Sequence, residues 1–273
     1  MTKKKKFIYF LLIIISAAIA YDYFDPFSSY PPWPKRAIVI GASSGIGKAL
    51  AEVLSKNGYE VGLTGRRVEL LTALQASLPN KSYVKQMDVS NPEQAKKALH
   101  ELAEEMEGYH LMVVNAGIGR DDKERDWDKQ KQVIDVNVVG FAAMVHEALE
   151  HFIDQRCGHL VGIASIAGLR AGKDAYTYSA SKAFESRLLQ GIRTTVKSQK
   201  LPIFITDIRP GWVDTPMTKK AQNKFWEASP QEAAEEIYEA IQKKQKVAYV
   251  TKRWGLIGFM LKYAPDWLLD RAE

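Results

Sequence analysis

Residues 38–51 read IVIGASSGIGKALA, and this stretch restricts the fold more than any other part of the chain. An apolar, β-branched run stops at Gly41, and a helical pattern starts by Gly47. Three glycines, Gly41, Gly45 and Gly47, occupy the junction. Glycine lets the chain turn with positive φ, and its missing side chain lets a ligand approach the backbone. The helix that follows directs unpaired N–H groups and the positive end of its dipole at the same point. A strand, a glycine turn and a helix in this order suit a pyrophosphate, with Ser43, Ser44 and Ile46 beside the glycines.

The rest of the chain repeats the alternation. Short β-branched runs at 37–40, 60–65, 83–89, 110–117, 158–165, 203–211 and 246–251 predict strands. Amphipathic stretches at 47–58, 67–78, 91–106, 131–155, 175–199 and 229–244 predict helices. Gly58 suits the end of the first helix and Pro92 the first turn of the third. This order predicts an α/β fold with a doubly wound parallel sheet and helices on both faces. The elements need most of residues 35–273, which implies one catalytic domain.

Ahead of that domain, Lys3, Lys4, Lys5 and Lys6 precede an uncharged run over residues 7–21. Three readings fit it: a single-pass or signal anchor, a cleavable signal with Ala18-Ile19-Ala20 as its cleavage site, or an interfacial or core helix. The anchor reading makes residues 1–21 a membrane segment and the protein membrane-associated. Residues 22–34 follow as a stiff linker with Pro26, Pro31, Pro32 and Pro34, rich in interfacial aromatics. The basic head favours a cytoplasmic N-terminus with the domain across the membrane, but the side on which the domain lies stays open.

The net charge of +6 owes four charges to that lysine run, so it gives no footprint for nucleic acid. Cys157 is the sole cysteine, and the five histidines lack metal-ligand spacing, so neither a disulfide framework nor a metal site is expected. Cofactor choice is written at the end of the second strand. An NAD-binding unit has an acidic residue there to meet the ribose. This chain has Arg66 and Arg67, and a guanidinium binds a 2′-phosphate that a carboxylate repels. NADP is therefore expected over NAD.

Further motifs stand in a fixed order: Asp88 and Val89 in MDVS; Asn115, Ala116 and Gly117 in NAG; Asn137 in DVNVVG; and Ser165, 13 residues before Tyr178. Tyr178 and Lys182 follow in YSASK, then Pro210, Gly211, Val213 and Thr215 in RPGWVDT. With the G-x-x-x-G-x-G loop, this set resembles the short-chain dehydrogenases/reductases across residues 35–250. The resemblance implies a Rossmann-like fold and hydride transfer between NADP(H) and a carbonyl or alcohol. Two positions depart from the family: Ile40 stands where Thr is usual, and Val114 where Asn is usual. Altered packing beside the loop is expected there, not lost chemistry.

Tyr178 and Lys182 are four residues apart and share a helix face. An ammonium roughly 5 Å from a phenol, at an effective dielectric of about 20, favours phenolate by about 3 kcal/mol. That brings Tyr178 into the range of general acid–base work. The resemblance assigns the rest. Ser165 donates to the substrate oxygen, Lys182 holds the nicotinamide ribose, Asn137 positions a relay water, and Thr215 bonds the cofactor near its nicotinamide end.

Residues 212–230 read as a substrate lid without a long helix. Trp212, Met217, Phe225 and Trp226 are expected to line an apolar pocket with Leu169, beside Ser165 and Tyr178. A lipophilic substrate follows from that pocket. The apolar tail, 253–273, is read as covering the core, joining a subunit interface or resting on the membrane, with the first two favoured, and the resemblance implies that the two long helices pair in a homodimer. The other class of function is a catalytically silent NADP-binding sensor or scaffold at a membrane.

Overall fold

The computed structural model describes residues 33–119, 122–123, 125–172, 174–219, 221 and 224–263. Seven strands lie side by side, all parallel: β1 (Arg36–Ile40), β2 (Glu60–Gly65), β3 (Ser82–Gln86), β4 (Leu111–Val114), β5 (Gly158–Ile163), β6 (Ile203–Pro210) and β7 (Val247–Val250). Their spatial order is β3-β2-β1-β4-β5-β6-β7. The order reverses between β1 and β4, so the loops leaving these two strands diverge and open a crevice.

Helices cover both faces. They are α1 (Gly45–Lys56), α2 (Val68–Ser77), α3 (Pro92–Glu105), α4 (Trp127–Ile134), α5 (Phe141–Asp154), α6 (Tyr176–Ser198), α7 (Pro230–Gln242) and α8 (Trp254–Tyr263). The period-two geometry of a strand explains the arrangement. In β1, Ala37 and Val39 join the core layer that holds Leu50, Leu54, Ile237 and Ile241. Ile38 and Ile40 point the other way, into the layer of Leu99, Leu102, Phe141 and Leu189. A strand buried on both faces has no polar side to display, which is why these runs are continuously apolar. The caps match the sequence. Asn91 accepts from the Gln94 N–H ahead of Pro92, and Ser229 and Glu232 form a reciprocal capping box on α7.

The membrane segment expected at residues 1–21, with the location and partner drawn from it, is corrected. Among the described residues, the one helix long and apolar enough to cross a membrane is Trp127–Asp154, inside the domain. Its Val133, Val136, Phe141, Met144, Val145, Ala148 and Phe152 are buried in the protein, so its apolarity serves the core. The anchor itself, residues 22–32 of the linker and residues 264–273 of the tail lie outside the described residues.

This long helix is also not uniform. Asp135–Gly140 between α4 and α5 is a π turn, and Asn137 sits within it. Single π turns interrupt α-helices mainly at functional sites. At the other end of the chain, α8 forms where only an apolar tail was expected. It buries Trp254 against Phe225 and Trp226, with ring centroids 4.9 and 5.8 Å away.

His159 on β5 gives the fold an acid-sensitive point. Thr206 donates its hydroxyl proton to the Gln245 carbonyl, so it must accept the 2.8 Å bond from His159 Nε2. Burial depresses the imidazole to about 3, with Lys244 adding to the effect. A depressed base contributes stability above its unfolded value near 6.5, and that contribution is lost as pH falls towards 3. At pH 4 the loss is expected to reach about 3 kcal/mol relative to pH 7. Chemical denaturation of wild type and His159→Gln at both pH values checks this. The same acid loss in both proteins would refute the assignment.

Candidate functional site

The crevice at the reversal point is an open cleft. At one end lies the glycine loop. Gly41 has φ +91° and Gly45 φ +58°, conformations that favour glycine. Asn115, just past β4, donates from Nδ2 to the Gly41 carbonyl at 2.8 Å and ties the two crevice walls together. Ser44 is the N-cap residue of α1, yet its hydroxyl makes no cap bond. Arg67 instead donates to Ser43 Oγ at 2.8 Å and to Ser44 Oγ at 2.9 Å. The first N–H groups of α1 are thereby left without a side-chain cap, as an anion-binding terminus requires. Arg66 lies 3.9 Å from Asp88. A glycine floor, an uncapped helix start and two guanidiniums fit the phosphates of a nicotinamide dinucleotide.

Ser165, Tyr178 and Lys182 line the same cleft, with Asn115, Ala116, Gly117, Pro210, Gly211, Val213 and Thr215. Gly41, Ser43, Ser44, Gly45, Ile46, Arg66, Arg67, Asp88 and Val89 complete the lining among the expected residues. Gly47 stands behind the loop. A Cβ there would meet the Gly41 carbonyl oxygen at 2.2 Å. Met217 is the one expected apolar substrate residue that reaches the cleft, and it lies beside Tyr178 next to Gly119. Leu169, Trp212, Phe225 and Trp226 are not among the lining residues. Phe225 and Trp226 instead pack against Trp254, the first tilted and the second edge-on, and Arg253 donates to the Trp226 carbonyl at 2.9 Å. The base of residues 212–230 is closed by a bridge between Val213 and Ala228.

Tyr178 lies in the first turn of α6, where Ala175 provides no side-chain cap. The loop after β4 supplies the missing acceptor: buried Asp122 takes the Thr177 N–H at 2.8 Å. Sequence reading missed Asp122, because its role depends on a contact across 55 residues. Lys182 Nζ sits 5.7 Å from the centre of the Tyr178 ring. Ser165 accepts from the Ala167 N–H at 3.1 Å, and its own proton makes only a long 3.5 Å contact with the Pro210 carbonyl. That hydroxyl is thus available to a substrate. Asn137 clamps three parts together. Its Oδ1 accepts from the Ile118 N–H at 2.9 Å, and its Nδ2 donates to the Ile118 carbonyl and to Ser181 Oγ. Ser181 in turn donates to the Tyr178 carbonyl at 2.7 Å.

One group beside the pair was not anticipated. Lys182 Nζ donates to both carboxyl oxygens of Glu185, at 2.8 and 2.9 Å, and to the Ile163 carbonyl at 3.0 Å. Both side chains are buried. Burial opposes the Lys182 charge, but Glu185 and Tyr178 hold the ammonium above its ordinary range. Burial pushes Glu185 up to about 7, against the pull of Lys182 and with the help of Asp207. The i, i+3 spacing on α6 was the available signal.

Residues 35–225 match the sequence profile of the short chain dehydrogenase family. An uncharacterized oxidoreductase of Myxococcus xanthus is 32% identical over 250 residues, covering 87% of this chain and 96% of that protein. A serine dehydrogenase solved with NADP+ is 26% identical with a TM-score of 0.68, over 76% of this chain and 88% of that one. A short-chain dehydrogenase/reductase from Burkholderia phymatum solved with NAD is 22% identical with a TM-score of 0.75, over 83% of this chain and 92% of that one. The similar structures thus include partners of both NAD and NADP+.

Proposed function

Because the chain belongs to the short chain dehydrogenase family, and so is an oxidoreductase that moves hydride between a nicotinamide cofactor and a carbonyl or alcohol, we propose that its cofactor is NADP(H). The observation that carries this is Arg67 at the mouth of the glycine loop, fixed on Ser43 and Ser44, with Arg66 alongside. No carboxylate replaces it at the end of β2, where β2 closes as EVGLTG and Arg66 follows. The cofactor, when bound, supplies or accepts the hydride.

The chain's own residues supply the remainder. Tyr178 gives a proton to the substrate oxygen in reduction and takes it back in oxidation. Ser165 donates a hydrogen bond to that oxygen and steadies the charge that develops on it. Lys182 favours phenolate at Tyr178, and to hold the nicotinamide ribose it would turn one ammonium proton away from Glu185 or the Ile163 carbonyl. Asn137 retains one lone pair on Oδ1 for a water, its two amide protons being committed to Ile118 and Ser181. Thr215, near Gly45 across the cleft, contacts the cofactor. With Met217 and Ile118 on the walls, the reacting end is partly apolar, and the substrate class stays at carbonyl or alcohol. The rival reading, a silent NADP sensor, has no use for a hydroxyl, a phenol and an ammonium gathered in one cleft.

Oxidation of NADPH and NADH over a panel of ketones and aldehydes tests the proposal. Wild type is expected to favour NADPH. Arg67→Ala is expected to lower kcat/KM for NADPH by about 10- to 100-fold, the worth of a charge-assisted bond, and to leave NADH within about twofold. Equal use of the two cofactors, unmoved by Arg67→Ala, would remove the case for NADP.

A further inference from the structure

We propose that Glu185 is a positioning residue for the reaction: by gaining and losing a proton it sets how much of the Lys182 charge reaches Tyr178. The inference rests on the reading of Tyr178 and Lys182 as the working pair. Its basis is geometric. The Lys182 ammonium has three protons, and all three partners lie within the protein: Glu185 Oε1, Glu185 Oε2 and the Ile163 carbonyl. Glu185 is fully buried, so no water screens the contact. The centre of the Tyr178 ring is 5.7 Å from the same Nζ. An ammonium that touches an ionised carboxylate exerts the field of a neutral pair at that distance. An ammonium that touches a neutral carboxyl exerts the field of a full charge. The two protonation states of Glu185 therefore give Tyr178 two environments.

The surroundings place the changeover in the neutral range. Among the described residues, the charged groups acting on Glu185 are Lys182 on its own helix and Asp207 on β6. Lys182 favours the carboxylate, while Asp207 and burial favour the acid. Asp207 is itself answered by Arg209, 2.7 Å away, and faces Arg193 on α6. Its other oxygen accepts from Ser186 at 3.3 Å. β5 contributes the Ile163 carbonyl, and the π turn contributes neutral Asn137 near the Lys182 ammonium, both of them beside Gly117. With Lys182 acting against burial and Asp207 acting with it, Glu185 rises to about 7. The event is proton exchange with water; no electron moves.

The consequence has a sign. Above the changeover Glu185 is ionised, the pair is neutral, and Tyr178 keeps its proton to higher pH. Glu185→Gln removes the negative charge at all pH values while keeping the shape. The alkaline limb of carbonyl reduction, where the phenol is lost as an acid, is then expected to move down by about one pH unit. Glu185→Asp keeps the charge and is expected to retain the wild-type limb.

A second readout needs neither substrate nor turnover. Bringing the cation of NADP+ into the cleft favours ionised Glu185, so binding near pH 7 is expected to release protons. Titration calorimetry in buffers of different ionisation enthalpy reads that release, and Glu185→Gln is expected to abolish it. Coincident limbs and equal proton release in wild type and Glu185→Gln would overturn the proposal. If Glu185→Gln does not fold, the absence of proton release from wild type overturns it. Full activity in Tyr178→Phe would overturn the working pair instead, and proton release would still decide the role of Glu185.

Discussion

Tyr178→Phe is expected to lower kcat for carbonyl reduction by about a thousandfold or more, with NADPH affinity changed by less than about twofold. The substitution removes one oxygen from the cleft and keeps the ring that packs beside Gly119 and Met217. The glycine loop and Arg67, which is bonded to Ser43 and not to Tyr178, are untouched. What disappears is the single group on α6 that shares a face with Lys182 and carries an exchangeable proton into the cleft. Ser165 remains as a hydrogen-bond donor, so some stabilisation of the developing charge persists and activity does not fall to zero. Tyr176 provides the control. It is exposed, and its hydroxyl accepts from Gln130 Nε2 at 3.0 Å, outside the cleft lining. Tyr176→Phe is expected to retain wild-type kcat. Steady-state kinetics and direct NADPH binding on both variants decide the matter. Retention of more than a tenth of activity by Tyr178→Phe, or a large loss in Tyr176→Phe, would reassign the acid.

The fold was legible because its signals are local. β1 shows its apolar run and the glycine turn within 12 residues, and α7 carries its cap, proline and capping-box glutamate in sequence. Strand ends were less legible. The expected strand 110–117 stops at Val114, and the Asn115 side chain that follows holds the Gly41 carbonyl. The helix α8 was hidden because its apolar residues lack one clear stripe. Trp254 and Gly258 are buried while Leu256, Phe259 and Met260 face solvent. The role of Asn137 in the π turn is likewise invisible in composition, since its side-chain bonds depend on Ile118 and Ser181 from distant elements. The two departures from the family pattern have a shared explanation that only the register reveals. Ile40 and Val114 are direct partners across β1 and β4, both buried in one core layer. Two apolar side chains meet where the family usually places two polar ones, so neither leaves a buried polar group unpaired.

Gly47→Ala is expected to destabilise the protein by about 1–3 kcal/mol and to weaken NADPH binding by at least about tenfold. Helix propensity alone points the other way, since alanine in a helix is favoured over glycine by about 1 kcal/mol. Conformation gives no objection either, because Gly47 is absent from the glycines with positive φ. The objection is space. A Cβ at 47 would stand 2.2 Å from the Gly41 carbonyl oxygen and 2.4 Å from Asn115 Nδ2. These are the two atoms that bond each other at 2.8 Å and lock the glycine loop to the end of β4. The nearer of the two, the Gly41 carbonyl, is backbone and not a side-chain tip that could withdraw. Gly41 is fixed by its bond to the Thr64 carbonyl, and Asn115 by its N–H bond to the Ile40 carbonyl. The added methyl must therefore part the two crevice walls or push α1 away from the sheet. Either movement shifts the loop N–H groups that a pyrophosphate needs, so stability and cofactor affinity fall together. Urea denaturation and NADPH titration of Gly47→Ala measure both. A variant of increased stability and unchanged affinity would show that propensity, not close approach, governs this position.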